Sequence, residues 1–229
     1  MPRTGCSVTK AERALIALAA GDALAWPQEF PAWMRGPDRR VPPSPELRAW
    51  VRRSGFRFAA FLEEIAAGSY TDDTQLTLAV ARSRVLWGPK WWTAFTRAEL
   101  PLWYLYRRGG GRGTKRAARC WIRGVPAWLH ATRKSVREYF EHGGNGVAMR
   151  VLPHAIFLAG ARNPRGLIRD VISDRMATHG HPRALIGATV YALAAWNLLR
   201  TKCAVRPGEV IEYLTGPVSS LGCPAVRFG

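Results

Sequence analysis

The sequence predicts an all-α protein, and three observations carry that expectation. Apolar residues recur at helical spacing in nearly every segment, and almost nothing alternates with period two. Pro164, Pro182 and Pro207 also sit near helix starts, where a missing N–H costs nothing. The helices predicted in order are 8–24, 45–53, 57–67, 72–86, 91–107, 147–159, 164–177, 182–200 and 207–214. Leu15, Ile16, Ala19, Ala20 and Ala23 share one side of the first, and Leu76, Ala79 and Val80 one side of 72–86. Ser54-Gly55 separates the second from the third.

Three stretches interrupt this pattern. Residues 30–44 are rich in Pro and Arg and are expected to form a surface loop. Residues 107–116 are a glycine run set among cations, and 142–146 are a second glycine loop leading into a helix. No internal repeat or long linker divides the chain, so one domain over residues 1–229 is expected.

A hydrophobic content of 48% with 22% charged residues excludes intrinsic disorder. The 34 Lys and Arg against 16 Asp and Glu give a formal charge of +18. Such a surface attracts phosphates, whether of nucleic acid, nucleotide or anionic lipid. An arginine-rich composition produces the same excess, so charge alone does not choose a partner. Cys6, Cys120, Cys203 and Cys223 are scattered, without zinc-site spacing. They are expected to be free thiols in a reducing compartment, and the expected location is cytoplasmic. Lys10 and Arg13 before the apolar run 14–20 imitate a signal peptide, but Asp22 interrupts it. Residues 184–199 fall short of the ~20 that span a bilayer and contain Thr189 and Asn197. A buried helix is expected there, and no membrane partner.

Tyr70-Thr71-Asp72-Asp73-Thr74 opens a helix. One reading is capping, with Ser69 or Thr71 as N-cap and two carboxylates favoured by the helix dipole. The other is a hard-metal site, since a hydroxyl and two carboxylates offer oxygens to Mg²⁺ or Mn²⁺. Gly21-Asp22-Ala23-Leu24 is expected to end the first helix, with Glu29 following. Gly143-Gly144-Asn145-Gly146-Val147-Ala148-Met149-Arg150 puts glycines before a helix, where backbone N–H groups can cradle an anion and Arg150 can contact a phosphate. The loop from Gly109 through Gly113 offers a second cradle of that kind. Thr178-His179-Gly180-His181-Pro182 leads into the most apolar helix, and one His there can meet a ligand or serve structure alone.

These motifs, in this order, resemble the ADP-ribosylglycohydrolase family over about residues 14–199. The resemblance implies an all-α orthogonal bundle with a binuclear Mg²⁺ or Mn²⁺ centre and Thr71, Asp72 and Asp73 as metal ligands. It implies Glu29 beside the metals and ribose, with Glu29 or Asp73 as the catalytic base. It places Gly109, Gly110, Gly111 and Gly113, with Gly144, Asn145, Gly146, Met149 and Arg150, around the diphosphate and distal ribose, and His179 against the ligand. The implied reaction is hydrolysis of the bond from C1″ of ADP-ribose to an acceptor, commonly a protein arginine; the implied partner is an ADP-ribosylated protein, met by a monomer.

Two departures stand out. Ala25 replaces a family glycine, and no Asp-x-Asp follows Asp174, although that motif completes the family's metal site. The expectation is therefore a C-terminally incomplete member that holds its second ion weakly and turns over slowly. Two further readings are an ADP-ribose-binding pseudoenzyme and a basic nucleic-acid-associated protein. The latter would use residues 107–119 as its patch and Trp for stacking, and could act on ADP-ribosylated nucleic acid.

Overall fold

The computed structural model describes residues 9–29, 44–56, 59–129, 132–201, 206 and 208–209. Most of the predicted loop 30–44, most of the predicted helix 207–214, nearly all of the C-terminal segment and Cys6, Cys203 and Cys223 lie outside the described residues. The chain forms two compact units, one from residues 1–75 with 107–109 and the other from 76–106 with 110–229. The described residues are predominantly helical with one two-stranded sheet.

The first unit begins with α1 (Lys10–Glu29). A reciprocal cap starts it: Thr9 N donates to the Glu12 carboxylate at 2.7 Å and Glu12 N donates to Thr9 Oγ1 at 3.2 Å. The helix does not end after Leu24 as expected but continues through Pro27 to Glu29.

Strands β1 (Trp50–Phe56) and β2 (Ala59–Ile65) pair antiparallel, with Trp50 opposite Ile65 and Gly55 opposite Ala60. They replace the two helices expected over 45–53 and 57–67. Ala59, Ala60, Leu62, Glu63 and Glu64 are good helix formers, so the local signal pointed the wrong way. Packing overrides it: Trp50 and Ile65 bury themselves with Trp26 of α1, and the Trp26 and Trp50 rings meet edge-on at 5.5 Å. Gly55 at φ +96° lets the backbone of Ala59 approach where a side chain would stand. Arg52 pairs with Glu63 across the strands at 2.8 Å and lies over the Trp26 ring.

The second unit contains most of α2 (Asp72–Trp87), then α3 (Trp91–Ala94), α4 (Leu100–Tyr106), α5 (Arg112–Ile122), α6 (Arg133–Glu141), α7 (Leu152–Phe157), α8 (Arg165–Thr178) and α9 (Pro182–Arg200). Its core joins Leu76, Val80, Phe95, Leu100, Trp103, Ala118, Trp121 and Ala177. The single helix expected over 91–107 is broken by a π-helical turn at Phe95–Glu99. Pro101 explains the break, because it cannot donate to the Arg97 carbonyl one turn earlier. Likewise 147–159 resolves into a 3₁₀ turn, Ala148–Arg150, and α7, with Pro153 in its first turn. Helix α6 was not anticipated, since most of its residues are polar or charged; Thr132 caps it by accepting from Ser135 N. Helix α9 matches its predicted span and buries Ala184, Ala188, Ala192 and Trp196. Among the described residues, no helix is long and apolar enough to cross a membrane.

Trp103 is fully buried, whereas Leu105, two residues on, is 76% exposed. Trp103→Ala should lower unfolding free energy by about 3–5 kcal/mol and Leu105→Ala by less than about 0.5, read from urea titrations.

Candidate functional site

In the first unit the acidic residues assemble around Asp22. This α1 carboxylate accepts from Thr71 N at 2.9 Å, Thr71 Oγ1 at 2.7 Å, Thr74 N at 3.0 Å and Thr74 Oγ1 at 2.6 Å. The first turn of α2 thus takes its cap from another helix. Thr71 Oγ1 also accepts from Asp73 N at 3.3 Å, which is the local cap that the sequence suggested. Asp72 N donates to the Arg108 carbonyl at 3.1 Å, and Arg108 N to Gln75 Oε1 at 2.9 Å. Gly109, at φ +106°, passes so close to Asp72 that a β-carbon would lie 2.7 Å from its Oδ1.

Two carboxylates of this cluster, Asp73 and Glu29, have their proton affinity raised. Burial, followed by the charges of Asp72, Asp22 and Glu29, pushes Asp73 up to about 7. Burial and then Asp22 push Glu29 above the usual carboxylate range. The expected residues Thr71, Asp72, Asp73 and Glu29 therefore share one neighbourhood. In kind, a hydroxyl and several crowded carboxylates suit a hard divalent cation. Among the described residues, however, no three His, Cys, Asp or Glu side chains are grouped as a ready metal site.

In the second unit the glycine loops pack on polar side chains. Gly110 lies against Trp103, and Gly111 is the N-cap of α5. Gly113 sits against the His142 ring, and a β-carbon on Gly146 would lie 2.8 Å from both His179 Cε1 and Thr114 Oγ1. Gly144 and Asn145 are exposed. The Asn145 carbonyl accepts from Met149 N, and the Met149 carbonyl accepts from Thr77 Oγ1 at 2.9 Å.

Arg150 corrects the sequence reading. Rather than facing a phosphate, it is fully buried. Its Nε donates to Asp174 Oδ1 at 2.7 Å, its Nη2 to Thr178 Oγ1 at 2.9 Å and to the Asp174 carbonyl at 3.0 Å, and its Nη1 to the Gly146 carbonyl. Asp174 also meets His154 Nε2 at 2.9 Å. Burial alone would raise Asp174, yet Arg150 and His154 hold it below the usual range. Arg150 thereby fastens the second glycine loop to α8.

His179 is buried, with Nδ1 2.7 Å from Thr178 Oγ1. Burial, then the Arg150 and His142 charges, push it down to about 3, so the ring is neutral. Thr178 Oγ1 thus meets both Arg150 Nη2, which donates to it, and His179 Nδ1, while Nε2 of the ring lies beside Gly146. His181 instead caps α9, accepting from Arg183 N.

Sequence reasoning missed Asp22 as the organiser of the acidic cluster, although its motif had been noticed. It also missed Thr114, His142, His154 and Asp174. Asp174 and His154 lie inside helices with no local signal, because their partners come from distant segments.

The ADP-ribosylglycohydrolase family model matches residues 7–221. The chain is 28% identical over 191 residues to an ADP-ribosylarginine hydrolase of Serratia proteamaculans, covering 78% of this chain and 44% of that protein. It is 30% identical over 185 residues to an ADP-ribosyl-[dinitrogen reductase] glycohydrolase of Rhodospirillum rubrum, covering 78% of this chain and 54% of that one. The chain spans about half the length of these relatives.

Two tests follow from the buried network. Asp174→Asn leaves the Arg150 guanidinium buried without its counter-charge and should cost about 3–5 kcal/mol in urea unfolding. His179 gives a pH signature of definite sign. The unfolded chain takes up its proton near 6.5, whereas the fold resists until about 3. Its contribution is complete above 6.5 and is lost as pH falls, by up to ~1.4 kcal/mol per unit. Urea midpoints between about pH 7.5 and 5 should show a shallower acid decline in His179→Gln than in wild type.

Proposed function

The chain belongs to the ADP-ribosylglycohydrolase family, and from that premise we propose that it hydrolyses the glycosidic bond between ADP-ribose and an acceptor, of which protein arginine is the leading class. The names of both relatives support that substrate class. The observation that carries the reading is the crowded acid cluster, in which Asp22, Asp72, Asp73 and Glu29 share one neighbourhood. A carboxylate of such a cluster can take a proton from an attacking water.

Cleavage at an anomeric carbon builds oxocarbenium charge, which Asp72, Asp73 and Glu29 would stabilise. Glu29 or Asp73 would take the proton of the attacking water. Asp22 binds no substrate in this scheme; it holds Thr71 and the first turn of α2 in place. In the second unit, the Gly110–Gly113 and Gly144–Gly146 segments are assigned to the diphosphate, with the neutral His179 ring beside the latter. Arg150 keeps the second segment in shape from behind.

The donor chemistry of Thr71, Asp72 and Asp73 suits Mg²⁺ or Mn²⁺, and these residues would hold it. Such an ion, when bound, would supply Lewis-acid polarisation of ribose hydroxyls and water.

The assay is release of ADP-ribose from an arginine-modified protein in Mg²⁺ or Mn²⁺. Asp73→Asn should lower kcat by about 10²–10⁴-fold. A bulky residue at position 146 should weaken ADP-ribose binding in calorimetry, because it displaces His179. Binding of ADP-ribose by wild type without any release from the modified protein would replace the hydrolase reading with that of an ADP-ribose binder.

A further inference from the structure

Helix α5 divides two kinds of side chain between its sides. Ala117, Ala118, Cys120 and Trp121 are buried, while Arg112, Arg119 and the C-cap Arg123 are exposed and Lys115 and Arg116 half-buried. At 3.6 residues per turn these five cations fall within an arc of about 100° and extend about 16 Å along the axis. That is the rise of roughly five nucleotides along one strand of duplex DNA.

Helix α6 lies beside this stripe. Arg116 reaches across to it, donating to Ser135 Oγ at 2.7 Å and pairing with Glu138. Ser135 and Tyr139 turn inward, and Arg133, Lys134 and Arg137 are exposed. From Arg112 to Arg137 the sequence holds eight Lys or Arg and no Asp or Glu. Glu138 and Glu141 take Arg116 and Arg137. Among the described residues, no carboxylate pairs with Arg112, Lys115, Arg119, Arg123, Arg133 or Lys134.

We propose that the exposed face of α5 and α6 binds the phosphate backbone of a nucleic acid, through Arg112, Lys115, Arg119, Arg123, Arg133 and Lys134. A lipid surface fits less well. A helix that lies in a membrane interface needs a free apolar side to insert, and α5 has committed that side to the protein core. The cations stand on rigid helices at regular spacing, which suits a polyphosphate that runs past them. Base contacts are not required, so the binding is indifferent to sequence. The proposal does not depend on the hydrolase reading.

The test is fluorescence anisotropy of a labelled DNA duplex and of a single-stranded RNA with the full chain. Six phosphate contacts predict a slope of about −5 in log K against log salt for the duplex, or about a thousandfold loss of affinity between 50 and 200 mM salt. The variant Arg119→Glu, Arg123→Glu, Lys134→Glu should roughly halve that slope and weaken binding at least tenfold. Arg119→Gln, Arg123→Gln, Lys134→Gln serves if the reversals unfold the protein, as judged by circular dichroism. A control with the same charge change elsewhere, Arg13→Glu, Arg162→Glu, Arg165→Glu, should keep most of the slope. Equal loss in the control would overturn the proposal, because net charge alone would then explain the binding. So would absence of binding to either nucleic acid, or binding only to phosphatidylserine vesicles. Hydrolysis measured on the same variants keeps the two readings separate, since Arg119, Arg123 and Lys134 have no part in the proposed chemistry.

Discussion

The second unit depends on one ion pair that water never reaches. Arg150 and Asp174 are both fully buried, and two charges taken out of water are tolerated only when every donor and acceptor finds a partner. Here they do. The guanidinium spends its protons on the Asp174 carboxylate and carbonyl, on Thr178 and on the Gly146 carbonyl, and the carboxylate spends its remaining capacity on His154. His154 in turn meets Arg84, which pairs with Asp170 at 2.5 Å. A 3₁₀ turn, a glycine loop and helices α2, α7 and α8 are thereby tied to one carboxylate. Hydrophobic burial supplies the drive to collapse, but this network fixes which arrangement of those segments is reached.

The same pair explains why a neutral histidine lies beside the second glycine loop. Burial, reinforced by the Arg150 charge, keeps His179 neutral, and Thr178 joins the two by meeting both Arg150 Nη2 and His179 Nδ1. The acidic cluster of the first unit works in the opposite sense, since burial, followed by the neighbouring carboxylates, raises the proton affinity of Asp73. The protein thus holds a histidine that will not protonate and an aspartate that readily does.

What could be read in the sequence was whatever is encoded locally. Helices α8 and α9 announce themselves by apolar spacing and by proline near their starts, and the Thr-Asp-Asp motif does mark a helix N-terminus. The family resemblance located the acid cluster because its motifs are contiguous. What could not be read depends on partners far away in the chain. The segment 59–65 has helix-forming residues, yet it becomes a strand because Ile65 packs with Trp26 and Trp50. Arg150 looked like a surface cation because nothing near it in sequence shows Asp174 waiting 24 residues on. Asp22 looked like a helix end for the same reason.

The clamp at Asp22 also bears on the order of folding. Thr71 and Thr74 take their acceptor from a residue 49 and 52 positions earlier in the chain. An isolated α2 therefore begins with unsatisfied amides at its N-terminus, and its first turn would fray. That turn is completed only when α1 has formed and the intervening hairpin has brought it home, which requires closing a loop of some fifty residues. The acid cluster is accordingly a product of tertiary structure, since its carboxylates meet only once α1 has docked on the start of α2.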